Sequence, residues 1–436
     1  MGDAANVGRP AHAIALLSTD RSRILAYCGI LVLLVEFGAP YNGLIDLPIT
    51  FFLKNKLHLS ATGISTFRLI AAIPTYFAAV FGLARDRFNP LGMGDRGFIF
   101  VFGGLTCLLY AFMAFTPITL VSLMIGIFAI KCVYLLAAGA MRGLFGVVGQ
   151  QHLMSGRLTS VWNVVLAVPL VASYFIGGYL SDLLEGQGAQ AAARMLFLVG
   201  AGMMALLSLY GLWRPKFLFD NLKPERAAGS SLWSDMKRLA RHRPIYPALA
   251  IWFLWEFSPG GQTVLAVYLS NTLHASDAVW GEYNAIYYAS FVPTFLLFGF
   301  LCRRVPLRRL LWWGTLVAIP QMVPLLFIHS PTEALIWAVP IGLMGGVATG
   351  AYMDLLIRSC PPGLQGATLG LSVAAFWIAV RFGDLWGTEL YSHHGGFPTC
   401  VWVTTAVYAL ILPLILLIPK GLIATRDGDI LEATAT

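Results

Sequence analysis

Apolar residues run along the chain in about twelve blocks separated by short polar stops, and about 20 apolar residues are what a helix needs to cross a bilayer. The blocks fall near residues 24–53, 61–84, 97–116, 118–141, 157–181, 192–213, 245–270, 280–302, 309–328, 333–357, 366–390 and 398–419. Each predicts one membrane-spanning α-helix, because a backbone in lipid must satisfy its polar groups within its own segment. One polar stop is longer than the rest. It runs from Arg214 to Pro244, between the sixth and seventh blocks. The expected organisation is a tail over 1–23, a six-helix bundle over 24–213, a central loop over 214–244, a second six-helix bundle over 245–419 and a tail over 420–436. Within the central loop, LWSDMKRLARH fits a short amphipathic helix capped by Ser234, lying on the membrane with Lys237, Arg238 and Arg241 towards anionic headgroups. A solvated linker fits the same residues.

The polar positions also repeat. EFGAPYNGLIDLPITFFLKNKLHLS, from Glu36, returns as EFSPGGQTVLAVYLSNTLHAS from Glu256. Glu36 and Phe37 answer to Glu256 and Phe257. After a shift of about four residues, Leu53, Asn55, Leu57, His58 and Ser60 answer to Leu269, Asn271, Leu273, His274 and Ser276. Downstream, Pro74-Thr75-Tyr76-Phe77 with a basic exit at Arg85 and Arg87 faces Pro293-Thr294-Phe295 with an exit at Arg303-Arg304. Two halves in the same order and orientation are the signature of a transporter with parallel repeats, whose site lies between them.

Composition agrees with a membrane protein. Of 436 residues, 58% are hydrophobic and 11% charged, against roughly 25% charged in soluble domains, and the mean hydropathy is +0.74. The net charge of +8 is dispersed among alternate loops, which fits a membrane surface and not a nucleic acid. Arg21 and Arg23, Arg85 to Arg96, Arg142 and Arg157, the 214–243 segment, Arg303 to Arg309, Arg358, Lys420 and Arg426 fall on one side. By the positive-inside rule that side, with both termini, is cytoplasmic, and the expected location is the inner (plasma) membrane. The amino-terminal residues have no cleavable signal pattern, so the first span is expected to direct insertion. The six cysteines lack metal-ligand spacing and read as small core residues. No phosphate-binding loop is present, so ATP-driven transport is not supported, and no cofactor or metal is implied.

The loop after the second span reads G-L-A-R-D-R-F, and Gly82, Asp86 and Arg87 with Arg96 fall where a Gly-x-x-x-Asp-Arg signature and its closing arginine are expected. With twelve spans and a central loop, the chain resembles the major facilitator superfamily. That resemblance implies an all-α membrane protein of two pseudo-symmetric six-helix bundles. It also implies a latch in which Gly82 lets helices approach and Asp86 takes a helix N-terminus or a guanidinium. The phrase G-L-I-D-L-P-I-T-F-F-L-K-N-K-L-H-L-S is similar to the folate and biopterin transporter branch, over about residues 40 to 100. The eleventh span departs from that branch, carrying Arg381 and Asp384. Branches that move organic anions, siderophores or peptide fragments stay open.

Charges inside apolar spans are costly, about 2.5 to 3.5 kcal/mol on insertion scales, so each invites a function. Glu36, Lys131 and Glu256 fall near mid-span, and the resemblance implies that spans one, four, seven and ten face a shared cavity. Glu256, among Trp252, Trp255 and Phe257, is the leading candidate for proton coupling because apolar surroundings disfavour its charge, with Glu36 second and paired to Lys131. Asp46 with Arg68, and Arg381 with Asp384, read as structural ion pairs. Lys131 or Arg381 free in the cavity would bind an anionic substrate, and Tyr41, Asn42, Tyr134, Asn163, Gln262 and Trp377 would suit a planar, partly polar solute. Helix packing in lipid uses the same residue types. Asp354, Arg358 and Arg142 fit a cytoplasmic gate, together with Gly82, Asp86, Arg87 and Arg96.

The expected function is a secondary active transporter for a small organic solute, working as a monomer by alternating access with proton coupling. Two alternatives remain: a transporter-shaped assembly factor or receptor that moves nothing, and an integral-membrane enzyme. The second lacks a catalytic constellation, because the paired His393-His394 has no carboxylate cluster near it.

Overall fold

The computed structural model describes residues 18–40, 45, 48–49, 52–59, 61–185, 189–222 and 231–429. Among them, ten helices are long and apolar enough to cross a membrane; the protein is a multi-pass membrane protein. In chain order the helices are α1 (Ser18–Phe37), α2 (Ala61–Tyr76), α3 (Ala78–Arg87), α4 (Asp95–Phe115), α5 (Leu120–Gln151), α6 (Ser155–Glu185) and α7 (Ala189–Leu212) in the first half. The short α8 (Leu232–Arg241) lies in the central segment. The second half holds α9 (Ile245–Glu256), α10 (Gln262–Asn271), α11 (Asp277–Leu301), α12 (Leu307–Ala318), α13 (Pro331–Arg358), α14 (Gln365–His393), α15 (Gly396–Ala409) and α16 (Ile411–Leu416).

Burial divides along the same line. One apolar core draws on residues between Ile24 and Leu218, and two others on residues between Ile245 and Ile423. Large side chains such as Phe112, Trp313 and Leu385 face outward instead, as a surface solvated by lipid tails allows.

The seventh block differs from its expectation. Instead of one helix over 245–270, the chain breaks after Glu256, because Pro259 lacks an N–H and Gly260-Gly261 stabilise a helix poorly. The break is held by packing and hydrogen bonds. A Cβ at Gly387 of α14 would lie 2.1 Å from the Pro259 carbonyl oxygen, and the Gly260 N–H donates to Thr404 Oγ1 at 2.9 Å. α1 likewise ends at Phe37, one residue past Glu36. Both mid-span carboxylates therefore sit in the last turn of a helix that stops inside the bundle.

The repeat extends to backbone conformation. His58 and His274 have left-handed φ angles of 52° and 53°, which non-glycine residues adopt uncommonly. The turns around them match: Leu57 and Leu273 donate to Phe52 and Tyr268 carbonyls, and Leu59 and Ala275 to Leu53 and Leu269 carbonyls. The aligned residues thus perform the same chain reversal in both halves.

Candidate functional site: a cavity between the halves and a sealed end

A cavity of about 440 Å³ lies between the halves, and Glu36, Lys131, Glu256 and Arg142 all line it. Its walls come from α1, α2, α5 and α6 on one side and from α9, α10, α11, α13, α14 and α15 on the other. Glu36 arrives from the last turn of α1, and the field of Arg142, on α5 of the same half, reaches it. Glu256 arrives from the last turn of α9, and among the described residues no ion pair or hydrogen bond holds its carboxylate. Trp252, Trp255 and Tyr408 line the cavity beside it, with Trp255 and Tyr408 ring centroids 4.8 Å apart.

The longest aromatic wall belongs to α11. Trp280, Tyr283, Tyr287, Tyr288, Phe291 and Phe295 all line the cavity, at spacings of three, four, one, three and four residues, one face of a helix. Trp280 and Tyr283 lie nearly parallel, 8° apart with centroids at 5.9 Å, and Tyr283 continues to Tyr287 at 6.2 Å and 6°. Flat rings in register form a surface on which a flat molecule can stack. The sequence reading passed over this wall. The spacing was visible, but an aromatic stripe facing lipid would look the same.

Several expected site residues reach the cavity. Tyr134, Asn163 and Trp377 line it, and the Asn163 amide donates to the Thr159 carbonyl at 2.8 Å and towards Met353 Sδ at 3.2 Å. Asp384 also lines it while pairing with Arg381 at 3.7 Å and hydrogen-bonding Thr263 at the start of α10. Arg381, the half-buried partner in that pair, is not among the residues that line the cavity. Arg142, expected at the gate, stands on the cavity wall instead. Tyr41, Asn42 and Asp46 lie outside the described residues, as does the Gln262 side chain; the expected Asp46–Arg68 pair falls there with them.

The end of the molecule where residues 18 and 429 lie is sealed. Asp86, at the end of α3, accepts from the backbone N–H groups of Gly366 and Ala367 at 3.0 and 2.8 Å, at the buried N-terminus of α14, where a helix favours negative charge. Gly82 makes room: a Cβ there would sit 2.0 Å from the Gly366 oxygen. Arg85 lies buried between Asp86 and Asp95, with Nε 2.6 Å from Asp95 Oδ1. Arg96 departs from its expected role at the boundary between halves. It donates to the Leu212 carbonyl at 2.8 Å and stands over the Phe219 ring, both in its own half.

Across the same end, Gln150 donates to the Ile357 and Cys360 carbonyls at 3.0 and 2.7 Å, and Gln365 donates to Gln150 at 2.9 Å. Asp354 and Arg358 pair at 2.9 Å, and Arg358 continues to Ser155 of the first half and to the Thr425 carbonyl. Near the start of α6, Asp427 accepts from the Gly156 N–H at 3.0 Å and from Arg157 Nε at 2.6 Å. Asp427 therefore does for α6 what Asp86 does for α14. The loop 301–309 holds no aspartate of its own; the tail brings one to the α6 end.

A profile of the Major Facilitator Superfamily matches residues 154–383. A folate-biopterin transporter of Synechocystis sp. is 21% identical over 426 residues, covering 92% of this chain and 83% of that protein. Three solved structures share the fold. The proton:xylose symporter XylE bound to 6-bromo-6-deoxy-D-glucose superposes with a TM-score of 0.68 at 14% identity, covering 93% of this chain and 98% of that one. A bacterial homologue of the iron transporter ferroportin in an outward-facing state gives 0.65 at 17%, covering 91% and 100%. The human organic anion transporter MFSD10 gives 0.65 at 13%, covering 92% and 100%.

Proposed function

The chain belongs to the Major Facilitator Superfamily, a family of transporters and not of enzymes, and from that premise we propose that it moves a flat, partly polar organic solute by alternating access with proton coupling. The observation that carries this reading is the one cavity in which an aromatic wall, three carboxylates (Glu36, Glu256 and the Arg381-paired Asp384) and two cations meet. In it the α11 rings stack the planar part of the solute, Lys131 and Arg142 take an anionic group, and Glu256 carries the proton. Glu36 has cations near it to balance its charge. Glu256 has none among the described residues, so its proton is the one whose loss and gain changes most with access to water. The 21% identical relative is named for folate and biopterin, whose flat heterocycles match such a wall.

The sealed end is cytoplasmic in this reading, by the excess of arginine and lysine there, and the conformation faces outward in the inner (plasma) membrane. Residues 24–213 and 245–419 are the two moving bodies, joined by the loop 214–244. One chain encloses the whole cavity, so the monomer is the transporting unit. The test is a thermal-shift screen of the purified protein against pterins, other flat organic anions, sugars and organic cations, followed by uptake of the stabilising compound into proteoliposomes under an imposed pH gradient. Stabilisation by flat heterocycles, lost in Tyr283→Ala and Tyr287→Ala, supports the reading. Stabilisation by sugars alone, or uptake indifferent to the pH gradient, overturns it.

A further inference from the structure

We propose that α8 is a sensor of anionic phospholipid that fastens the sealed end when such lipid covers it. Ser231, just before α8, caps it by accepting from the Ser234 N–H at 3.1 Å, three residues ahead of the Ser234 cap expected from the sequence. One side of the helix grips both halves. Asp235, buried, pairs with Arg87 of the first half at 3.7 Å. Arg238 donates to the Pro362 carbonyl at 3.2 Å, and His242 Nε2 lies 3.0 Å from the Ser359 carbonyl, both in the loop between α13 and α14. This helix therefore spans the seam that Asp86 and Gln150 close from within.

The other side of α8 is turned outward and is made for a membrane surface. Leu232, Trp233 and Met236 are exposed, Trp233 by 73%, and Lys237 and Arg241 follow them around the helix. Neither cation makes an ion pair among the described residues. The neighbouring rim is apolar too: Phe88 and Leu91, just past Arg87, are 65% and 67% exposed. In water such a rim would be unfavourable. At the boundary between headgroups and acyl chains the rings enter the apolar layer, and Lys237 and Arg241 meet lipid phosphates. A soluble acidic partner would meet the charges but leave the apolar rim of Phe88 and Leu91 uncovered.

The same helix cannot hold the bilayer and the seam independently. When the halves part at this end, Arg87 and Ser359 move away from each other, and α8 must leave one of them. Anionic lipid that fixes α8 in place therefore favours the sealed state over the open one. Two basic side chains at an anionic surface together favour that contact by roughly tenfold, and the part of it that differs between the two states is expected to shift the seal several-fold.

The experiment needs no transported solute, so its failure is separate from any failure of the transport reading. The full chain is placed in nanodiscs of phosphatidylcholine alone or with about a third phosphatidylglycerol, one lipid at a time carrying brominated acyl chains. The part of tryptophan quenching removed by Trp233→Phe reports the lipid at α8. In a variant keeping only Cys360, which is buried beside Gln150, the rate of thiol alkylation reports opening of the sealed end. Brominated phosphatidylglycerol should quench Trp233 more than brominated phosphatidylcholine does, and phosphatidylglycerol should slow Cys360 alkylation several-fold. Lys237→Gln with Arg241→Gln, both at exposed positions, should remove both effects. Equal quenching by the two lipids, no quenching by either, or alkylation unchanged by phosphatidylglycerol would each overturn the proposal.

Discussion

Glu36 and Glu256 occupy the same turn of the two repeats yet differ in what surrounds them, and the proposed roles rest on that difference. Arg142 and Lys131 share the cavity with Glu36, whereas Trp252, Trp255 and Tyr408 stand around Glu256. Removing the Glu256 charge should uncouple transport from the proton while leaving the binding wall intact. In proteoliposomes Glu256→Gln is expected to keep solute exchange without a gradient but to lose pH-driven accumulation by tenfold or more. Glu36→Gln, which leaves Lys131 and Arg142 less compensated, should instead change affinity for anionic solutes. Pairing carboxylates with mid-span positions was legible because charge in an apolar run stands out. The Trp280, Tyr283 and Tyr287 wall was not, since aromatic residues in a span fit lipid, core and ligand alike.

A second residue-scale expectation concerns His152, between α5 and α6. It is 3% exposed, neither ring nitrogen has a hydrogen-bond partner among the described residues, and Arg21 lies near it. Burial first, and then the Arg21 charge, push its pKa down from the usual 6.5 to about 4. The unfolded chain therefore takes a proton on this histidine in a range where the folded chain does not. Stability contributed by neutral His152 is full above about pH 6.5 and is lost as the pH falls towards 4. Melting temperature should drop over that window, and His152→Leu should flatten the drop. An unchanged slope in the variant would show that other groups carry the acid sensitivity.

At the scale of elements, two helix N-termini on the sealed end each receive an aspartate from elsewhere in the chain: α14 from Asp86, and α6 from Asp427. Asp427 belongs to a tail that the segmentation by hydropathy set aside as a cytoplasmic end, and nothing in its local pattern marks it as structural. Its role comes from the fold: the Leu307 N–H donates to the Thr425 carbonyl and the Asp427 N–H to the Cys302 carbonyl, which carry the carboxylate to Gly156 and Arg157. Hydrogen bonds to a buried charge contribute on the order of 1.5 to 3 kcal/mol each. Asp427→Asn should therefore weaken the α6–α11 side of the seal and raise alkylation of Cys302, which is buried there, several-fold. Asp86→Asn should do the same on the α3–α14 side, where Cys360 reports. If the two variants affected both cysteines equally, the two latches would be one cooperative unit. The interruption of the seventh span was within reach of the sequence, since Pro259-Gly260-Gly261 is a strong breaker. The apolar run continued across it, and hydropathy weighs side chains without asking whether the backbone can stay helical.

The two halves of the molecule are built alike, and the left-handed His58 and His274 show how far the likeness goes. Repetition of this kind was readable because the polar positions recur in register. The contacts that join the halves were not, since Gln150, Cys360 and Ser160, whose hydroxyl donates to the Phe295 carbonyl of α11 at 2.7 Å, have no counterpart pattern and acquire meaning only when α5, α6 and α11 to α14 are assembled. Those contacts set the final expectation. If transport requires the halves to part at the sealed end, a covalent tie there must stop it without touching the cavity. Gln150 Nε2 lies 2.7 Å from the carbonyl of native Cys360, so Gln150→Cys places two thiols across the seam. A short bifunctional thiol reagent, or oxidation if the side chains can turn to meet, should link residues 150 and 360 in a variant without other cysteines. Linked protein should still be stabilised by the solute that stabilises the parent, because the cavity lies beyond the seam, and its uptake should fall to background and return on reduction of a cleavable link. Full uptake by fully linked protein would mean that the halves need not separate at this end, and alternating access about the seam would fail.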